Sequence, residues 1–234
     1  MKLFIAEKPE LGRAIASALS GTAINNQTHI QKSDNIITWA FGHILELAEP
    51  QVYNANYEKW NLADLPLKIN EFKYVPKQSS AKQLKAICNL INQNNITEIV
   101  HCGDADDEGQ ILIDEILAYA KNTKPVSRLL INDNTEKGVQ KALKKIRPNS
   151  EFKTLSERGF ARSQADWIVG INLTRAFTTF AKSKGYQGVL TLGRVQTPIL
   201  SLVVNRDYEH ENFKSVFYYA IIEDIVWKIK HKQK

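Results

Sequence analysis

Residues 101–110, HCGDADDEGQ, place four acidic side chains in five consecutive positions, flanked by Gly103 and Gly109. Like charges this close repel one another, so either they lie splayed in water or something positive holds them together. Asp104, Asp106 and Glu108 alternate, and in an extended loop alternate side chains point the same way. Three carboxylates on one side of a turn, with glycines allowing close approach, suit a hard, oxygen-preferring cation. Magnesium takes few protein ligands and keeps waters for phosphate oxygens, so it fits a short open cluster better than a calcium cage does. The competing reading is a solvated acidic turn before a helix, in which Glu108 merely favours the positive helix end.

A second chemical group follows the apolar run KLFIA. Glu7-Lys8-Pro9 sets a carboxylate beside an ammonium, a proton donor or acceptor next to a phosphate clamp. Taken by itself the pair also reads as an exposed helix cap. Combined with a metal loop at the same sheet edge, it becomes a candidate phosphoryl-transfer site.

The elements around these residues supply that edge. Leu11, Ile15, Ala18 and Leu19 recur at helical spacing after the first strand, and Gly21 is a natural stop. NIITWAFGHILELAEP holds another strand and a turn at Gly42 and His43, and residues 51–76 form an irregular, aromatic excursion. An amphipathic helix with Leu84, Ile87, Cys88 and Ile91 on one face precedes the buried strand TEIVHC; after the acidic turn, ILIDEILAYA reads as a helix and VSRLLIN as a strand. TEKGVQKALKKI is a helix with Thr135 as its N-cap. Strand–helix alternation to about residue 150 predicts an α/β domain with a largely parallel, Rossmann-like sheet, whose reactive loops lie at the carboxyl ends of strands. Beyond a boundary near Ser150 the pattern turns helical, over 155–181 and again from VQTPILSLVV, and only SVFYYAIIEDIVWKI returns to strand-like composition.

Bulk composition narrows the class. With 43% hydrophobic and 24% charged residues the chain is an ordinary folded protein and not a disordered tail. A net charge of +6 favours an anionic partner. No apolar run approaches the roughly 20 residues of a membrane span, and MKLFIAEKPE is too short in apolar residues for an export signal. The two cysteines, Cys88 and Cys102, form no zinc motif and read as core thiols; the histidines show no metal-protease spacing.

Six segments occur in order: FIAEKPELGRAIASAL, FGHILELAEP, YEKWNLADLPL, GDADDEGQILIDEIL, RSQADWIVGINLTRAFT and TLGRVQTPILSLVVNRD. Together they resemble the amino-terminal part of the type IA DNA topoisomerases, topoisomerase III-like ones most closely, over Met1 to about Phe217. The resemblance implies a toprim domain over 1–150, the first helices of the DNA-gripping region over 151–217, and the start of a further domain over 218–234. It implies that Glu7 serves in proton transfer and that Lys8 stabilises the scissile phosphate. Asp104, Asp106 and Glu108, with Glu7, would be magnesium ligands. Arg162, Asp166, Thr191, Gly193, Arg194 and Gln196 would grip single-stranded DNA, with negatively supercoiled DNA as the substrate. A bacterial cytoplasmic location, on nucleoid or plasmid, is implied as well, with no membrane partner.

The sequence departs from the family pattern Asp-x-Asp-Arg-Glu-Gly-Glu at two places: Asp107 stands for the arginine and Gln110 for the last glutamate. Asp107 is expected to make the site more metal-dependent or to turn out to solvent. Thr191 stands where serine is usual. The family cuts with a tyrosine from a later domain, and none of the tyrosines here sits in that motif, so the chain alone is expected not to complete strand passage. A full-length topoisomerase or a separate chain would supply the tyrosine. Two alternatives stay open: a non-catalytic module that binds single-stranded DNA, and a metal-dependent toprim nuclease in which water attacks.

Overall fold

The structure is a computed structural model that describes residues 1–215 and Phe217. It divides into two compact units, Met1–Gly193 and the stretch from Arg194 onward. The strand-like run from Ser215, with Tyr218, Tyr219 and the basic tail, falls almost wholly outside the described residues.

In chain order the first unit contains β1 (Lys2–Ala6), α1 (Pro9–Ala18), β2 (Ala23–Asn25), β3 (His29–Lys32), β4 (Asn35–Trp39), β5 (Leu45–Leu47), β6 (Tyr74–Pro76), α2 (Ala81–Ile91), β7 (Glu98–Cys102), α3 (Asp107–Tyr119), β8 (Val126–Arg128), α4 (Glu136–Leu143), β9 (Arg147–Pro148) and α5 (Lys153–Ser183). The second contains α6 (Gln196–Glu211).

Seven strands form one sheet in the order β2-β3-β4-β1-β7-β8-β9. Its centre, β4-β1-β7-β8, is parallel, and both flanks are antiparallel. The hairpin β2–β3 is not singled out by the sequence pattern because β2 is wholly exposed and carries no buried face. Alternation along β1 divides the core: Leu3 and Ile5 pack with Leu84, Ile87 and Ile91 of α2 and Leu112, Ile113 and Ile116 of α3. Phe4 and Ala6 face the other way, toward Leu11 and Ile15 of α1 and Val139 of α4. The result is a helix–sheet–helix sandwich with β1 and β7, whose residues are mainly apolar, buried on both faces. Cys102 lies at the end of one of them, and burial pushes its thiol pKa up, as an unreactive core thiol requires.

One boundary differs in a way that matters. The apolar pattern starts the third helix at Ile111, whereas α3 begins at Asp107, because the Asp106 carboxylate caps it by accepting the Gly109 N–H at 2.7 Å.

Helix α5 packs against α3 where Gly159 leaves no room between the helices: a β-carbon there would lie 2.8 Å from the Asp107 carbonyl oxygen. It also carries the irregular excursion, through Trp167 edge-on to Tyr53 and Phe72 and through Asn172, whose Oδ1 accepts the Leu67 N–H at 2.7 Å. After α5 the chain doubles back as an extended strap. The Thr178 hydroxyl accepts the Leu190 N–H and the Thr174 hydroxyl the Leu192 N–H, both at 2.9 Å. The four-residue step along the helix thus matches a two-residue step along the strap, which leaves Thr191 facing solvent. In the second unit α6 begins at Gln196 with Val195 at the cap position, so Thr197 lies inside its first turn.

Candidate metal centre

Parallel pairing of Ala6 with Cys102 brings the ends of β1 and β7 out side by side. The next residues continue the register: the Glu7 N–H donates to the Cys102 carbonyl at 3.4 Å. Glu7 Oε2 accepts the Asp104 N–H at 2.9 Å, and Lys8 Nζ donates to Asp104 Oδ2 at 3.1 Å. Glu7, Lys8 and Asp104 therefore meet across a sequence separation of about a hundred residues. Lys8 and Asp104 are each about two-fifths exposed, so a ligand can reach both. Hydrogen bonding to Asp104 holds the Lys8 ammonium above its ordinary pKa, so it stays charged.

The other acids of the turn go elsewhere. Asp106 caps α3 with one oxygen and is exposed. Glu108, in the first helical turn, accepts from His43 Nε2 at 2.7 Å and from Arg162 of α5 at 2.8 Å. Asp107 turns neither to solvent nor toward Asp104: Arg158 of α5 grips it with Nε and Nη2, which holds its carboxyl below the usual carboxylate range. The strict alternation of an extended loop ends at Asp106, where the helix takes over. Among the described residues no three metal-ligating side chains already stand together around one point. The positive partners of the cluster are the protein's own: Lys8, Arg158, Arg162 and His43, with the α3 N-terminus.

Counted from Asp104, the segment has glycine at the sixth position and glutamate at the twelfth, the spacing of a calcium-binding loop. The early start of α3 removes that reading: Glu115 is 3% exposed and accepts from His43 Nδ1 at 2.8 Å, facing away from a cage. With a carboxylate on each ring nitrogen, above all Glu115, His43 is held above its ordinary pKa.

A buried polar layer supports the turn from below. The Gly103 N–H donates to His101 Nδ1 at 3.2 Å, which makes Nε2 the protonated nitrogen, and it donates to the Gln110 carbonyl at 3.0 Å. Gln110 accepts from Arg128 Nε at 2.9 Å and donates to Asp114 at 2.8 Å and Asn149 at 3.0 Å. A glutamate at 110 could not donate to Asp114, so this network accounts for the glutamine. His101 is fully buried, and burial lowers its pKa to about 4, with Arg128 adding to the effect. A histidine depressed in the folded state lets the unfolded chain take up protons first. Its contribution is therefore complete above pH ~6.5 and is lost as pH falls from there toward about 4. Urea unfolding between pH 7 and pH 4 is expected to show this loss, on the order of 3 kcal/mol, and His101→Gln is expected to flatten that part of the profile.

Of the residues expected to touch DNA, Arg162 and Asp166 lie one turn apart on α5; Thr191 and Gly193 lie on the strap; Arg194 and Gln196 are exposed at the start of the second unit. Spacing does not reveal His43, His101, Arg128 or Arg158. A charged residue inside the apolar run VSRLLIN is the one signal the sequence offers for Arg128.

The donor chemistry suits a hard divalent ion: the Glu7 carboxylate accepts the Asp104 N–H, the Asp104 carboxylate accepts from Lys8, and Asp106 is exposed two residues further on. The Toprim domain family matches residues 2–134, and the chain belongs to it. Toprim domains are in general metal-binding. The DNA topoisomerase family matches residues 150–234.

Within that class the chain is a type IA, topoisomerase III-like amino-terminal segment. It is 45% identical over 231 residues to DNA topoisomerase 3 of Salmonella typhimurium, covering 97% of this chain and 35% of that protein. Against DNA topoisomerase 3 of Vibrio cholerae the identity is 46% over 225 residues, covering 94% and 34%. The chain thus spans about a third of the length of these relatives. Full-length topoisomerase I from Thermotoga maritima shares the fold, with a TM-score of 0.57 at 18% identity, over 100% of this chain and 37% of that one. No helix among the described residues is long and apolar enough to cross a membrane.

Proposed function

We propose that this chain is the magnesium- and DNA-binding amino-terminal part of an enzyme that cuts, passes and rejoins single DNA strands. The observation that carries the reading is the meeting of Glu7, Lys8 and Asp104 at the carboxyl edge of β1 and β7. Glu7 and Asp104 would hold a magnesium ion with Asp106, and Glu108 would join them on leaving Arg162. Bound there, the ion would neutralise phosphate charge at the scissile linkage. Lys8, already charged and half exposed, would donate to a non-bridging phosphate oxygen. Transfer of a 5′ phosphate to a tyrosine leaves a 3′ oxygen that needs a proton, and the Glu7 carboxyl would supply it and take it back on rejoining. A full-length topoisomerase or a separate chain would supply that tyrosine. Arg162, Asp166, Thr191 and Gly193 would each contact the strand, and so, separately, would Arg194 and Gln196, on chromosomal or plasmid DNA.

Fluorescence anisotropy with a labelled single-stranded oligonucleotide tests this. Binding is expected to weaken steeply with salt. Arg194→Ala is expected to lower affinity by about tenfold, the worth of one lost charge-assisted contact. Failure of the unsubstituted chain to bind the oligonucleotide overturns the reading. Magnesium-dependent nicking by the chain alone would replace it with the nuclease reading.

A further inference from the structure

Arg128 is 1% exposed, and every oxygen it binds is neutral. Its Nη1 donates to the Gly103 carbonyl at 2.7 Å and more loosely to those of Leu129 and His101; Nη2 donates to the Asp104 carbonyl at 2.7 Å; Nε donates to Gln110 Oε1 at 2.9 Å. The Phe152 ring lies 5.6 Å from its guanidinium carbon. Burying a guanidinium without a carboxylate partner is costly, and an apolar side chain of similar volume would stabilise a core at least as well. What an apolar residue could not provide is a planar fork of donors that reaches two consecutive carbonyls of one turn.

Those carbonyls belong to Gly103 and Asp104, the residues that carry the chain from β7 into the acidic turn. Pinned there, the peptide aims the Asp104 N–H at Glu7 and the Asp104 carboxylate at Lys8. Gln110 then ties the same guanidinium to the first turns of α3, so strand end, turn and helix share one fixed point. The charge of Arg128 also acts on Asp104, Glu7 and Asp114, offsetting carboxylate repulsion from the protein side.

We propose that Arg128 is the positioning residue of the acidic turn, fixing the Gly103–Asp104 peptides so that Asp104 is presented beside Glu7 before any ion or DNA arrives. This rests on the reading of the turn as a metal site, but its central claim concerns the turn with no metal present.

The test uses Arg128→Lys, which keeps the charge and loses the fork. Hydrogen exchange of the chain without metal is expected to show protection of the Gly103 and Asp104 amides falling by about tenfold or more, with Phe4 and Ile37 in neighbouring strands unchanged. Manganese binding, followed by electron paramagnetic resonance, is expected to weaken by about 10- to 100-fold, as for other groups that orient metal ligands. Arg128 as simple core filling would instead lower protection evenly across the sheet and leave manganese affinity intact below the melting temperature. Should Arg128→Lys fail to fold, Gln110→Met removes one acceptor of the fork, and a fall in Asp104 amide protection of about threefold is expected. Unchanged protection at Gly103 and Asp104 in the variant that folds overturns the proposal. Absence of manganese binding by the unsubstituted chain would instead overturn the metal reading, with the exchange result still deciding the role of Arg128.

Discussion

Gly109→Ala is expected to destabilise the protein by about 2–3 kcal/mol, against the usual direction of glycine-to-alanine changes in helices. Gly109 lies in the first turn of α3 with ordinary helical backbone, so alanine in open space there would stabilise by up to about 1 kcal/mol. The space is not open. A β-carbon at 109 would stand 2.6 Å from the Asp104 carbonyl oxygen and 2.8 Å from its α-carbon. From the other side, one at Gly103 would stand 2.7 Å from the Gly109 carbonyl carbon. The two glycines allow the acidic turn to lie flat against the helix it precedes, and the obstructing atoms are backbone, which cannot swing aside. Alanine at 109 must therefore lift the turn, taking Asp104 from Glu7 and Lys8 together. Gly170→Ala in α5 is the control, since its β-carbon would meet only the Leu192 carbonyl at an ordinary 3.5 Å. Urea midpoints should move in opposite directions for the two variants, and manganese affinity should fall only for Gly109→Ala. A stabilised Gly109→Ala protein would show that the turn and helix do not approach as described.

The same turn shows which parts of the protein can be read from its sequence. Helical spacing of Leu11 and Ile15, and of Leu84, Ile87 and Ile91, gave the correct buried faces, because those faces are set by local periodicity. The strand ends carrying Glu7 and Asp104 were equally legible, since short, mainly apolar runs mark doubly covered strands and reactive loops follow them. The direction of Glu108 was not legible. Alternate acids in a loop and acids across a helix start have identical spacing, and what separates them is whether Asp106 spends an oxygen on the Gly109 N–H. Partners supplied from afar were also hidden. Arg158 neutralises the unusual Asp107 from a helix 51 residues away, and His43 reaches Glu108 across 65. Arg128 appears in sequence only as a charge interrupting an apolar strand, because its role lies in carbonyl groups, which every residue has. The exposed strand β2 carries no buried face and is held by backbone pairing to β3, which buries Ile30 and pairs with β4.

Asp104→Asn is expected to remove metal-linked stabilisation while leaving the metal-free protein nearly as stable as before. Asp104 and Lys8 form a half-exposed pair, worth at most about 1 kcal/mol, and the Asp104 backbone contact to Glu7 survives the substitution. Relief of repulsion with Glu7 offsets part of that small loss. A ligating carboxylate made neutral is expected to weaken divalent-ion binding by about 100-fold. At an ion concentration of about 100 times the original dissociation constant, binding stabilises the original chain by about 2.7 kcal/mol but the variant by only about 0.4. Thermal unfolding with and without manganese reads this difference directly. Asp106→Asn separates the two roles of its neighbour: asparagine caps helices as well as aspartate does, so metal-free stability should hold while ion affinity falls. Asp107→Asn should leave ion affinity within about threefold, because that carboxylate serves Arg158. Equal manganese-induced stabilisation of the original chain and Asp104→Asn would mean that the meeting of Glu7, Lys8 and Asp104 is a surface ion-pair cluster and not the seat of a metal.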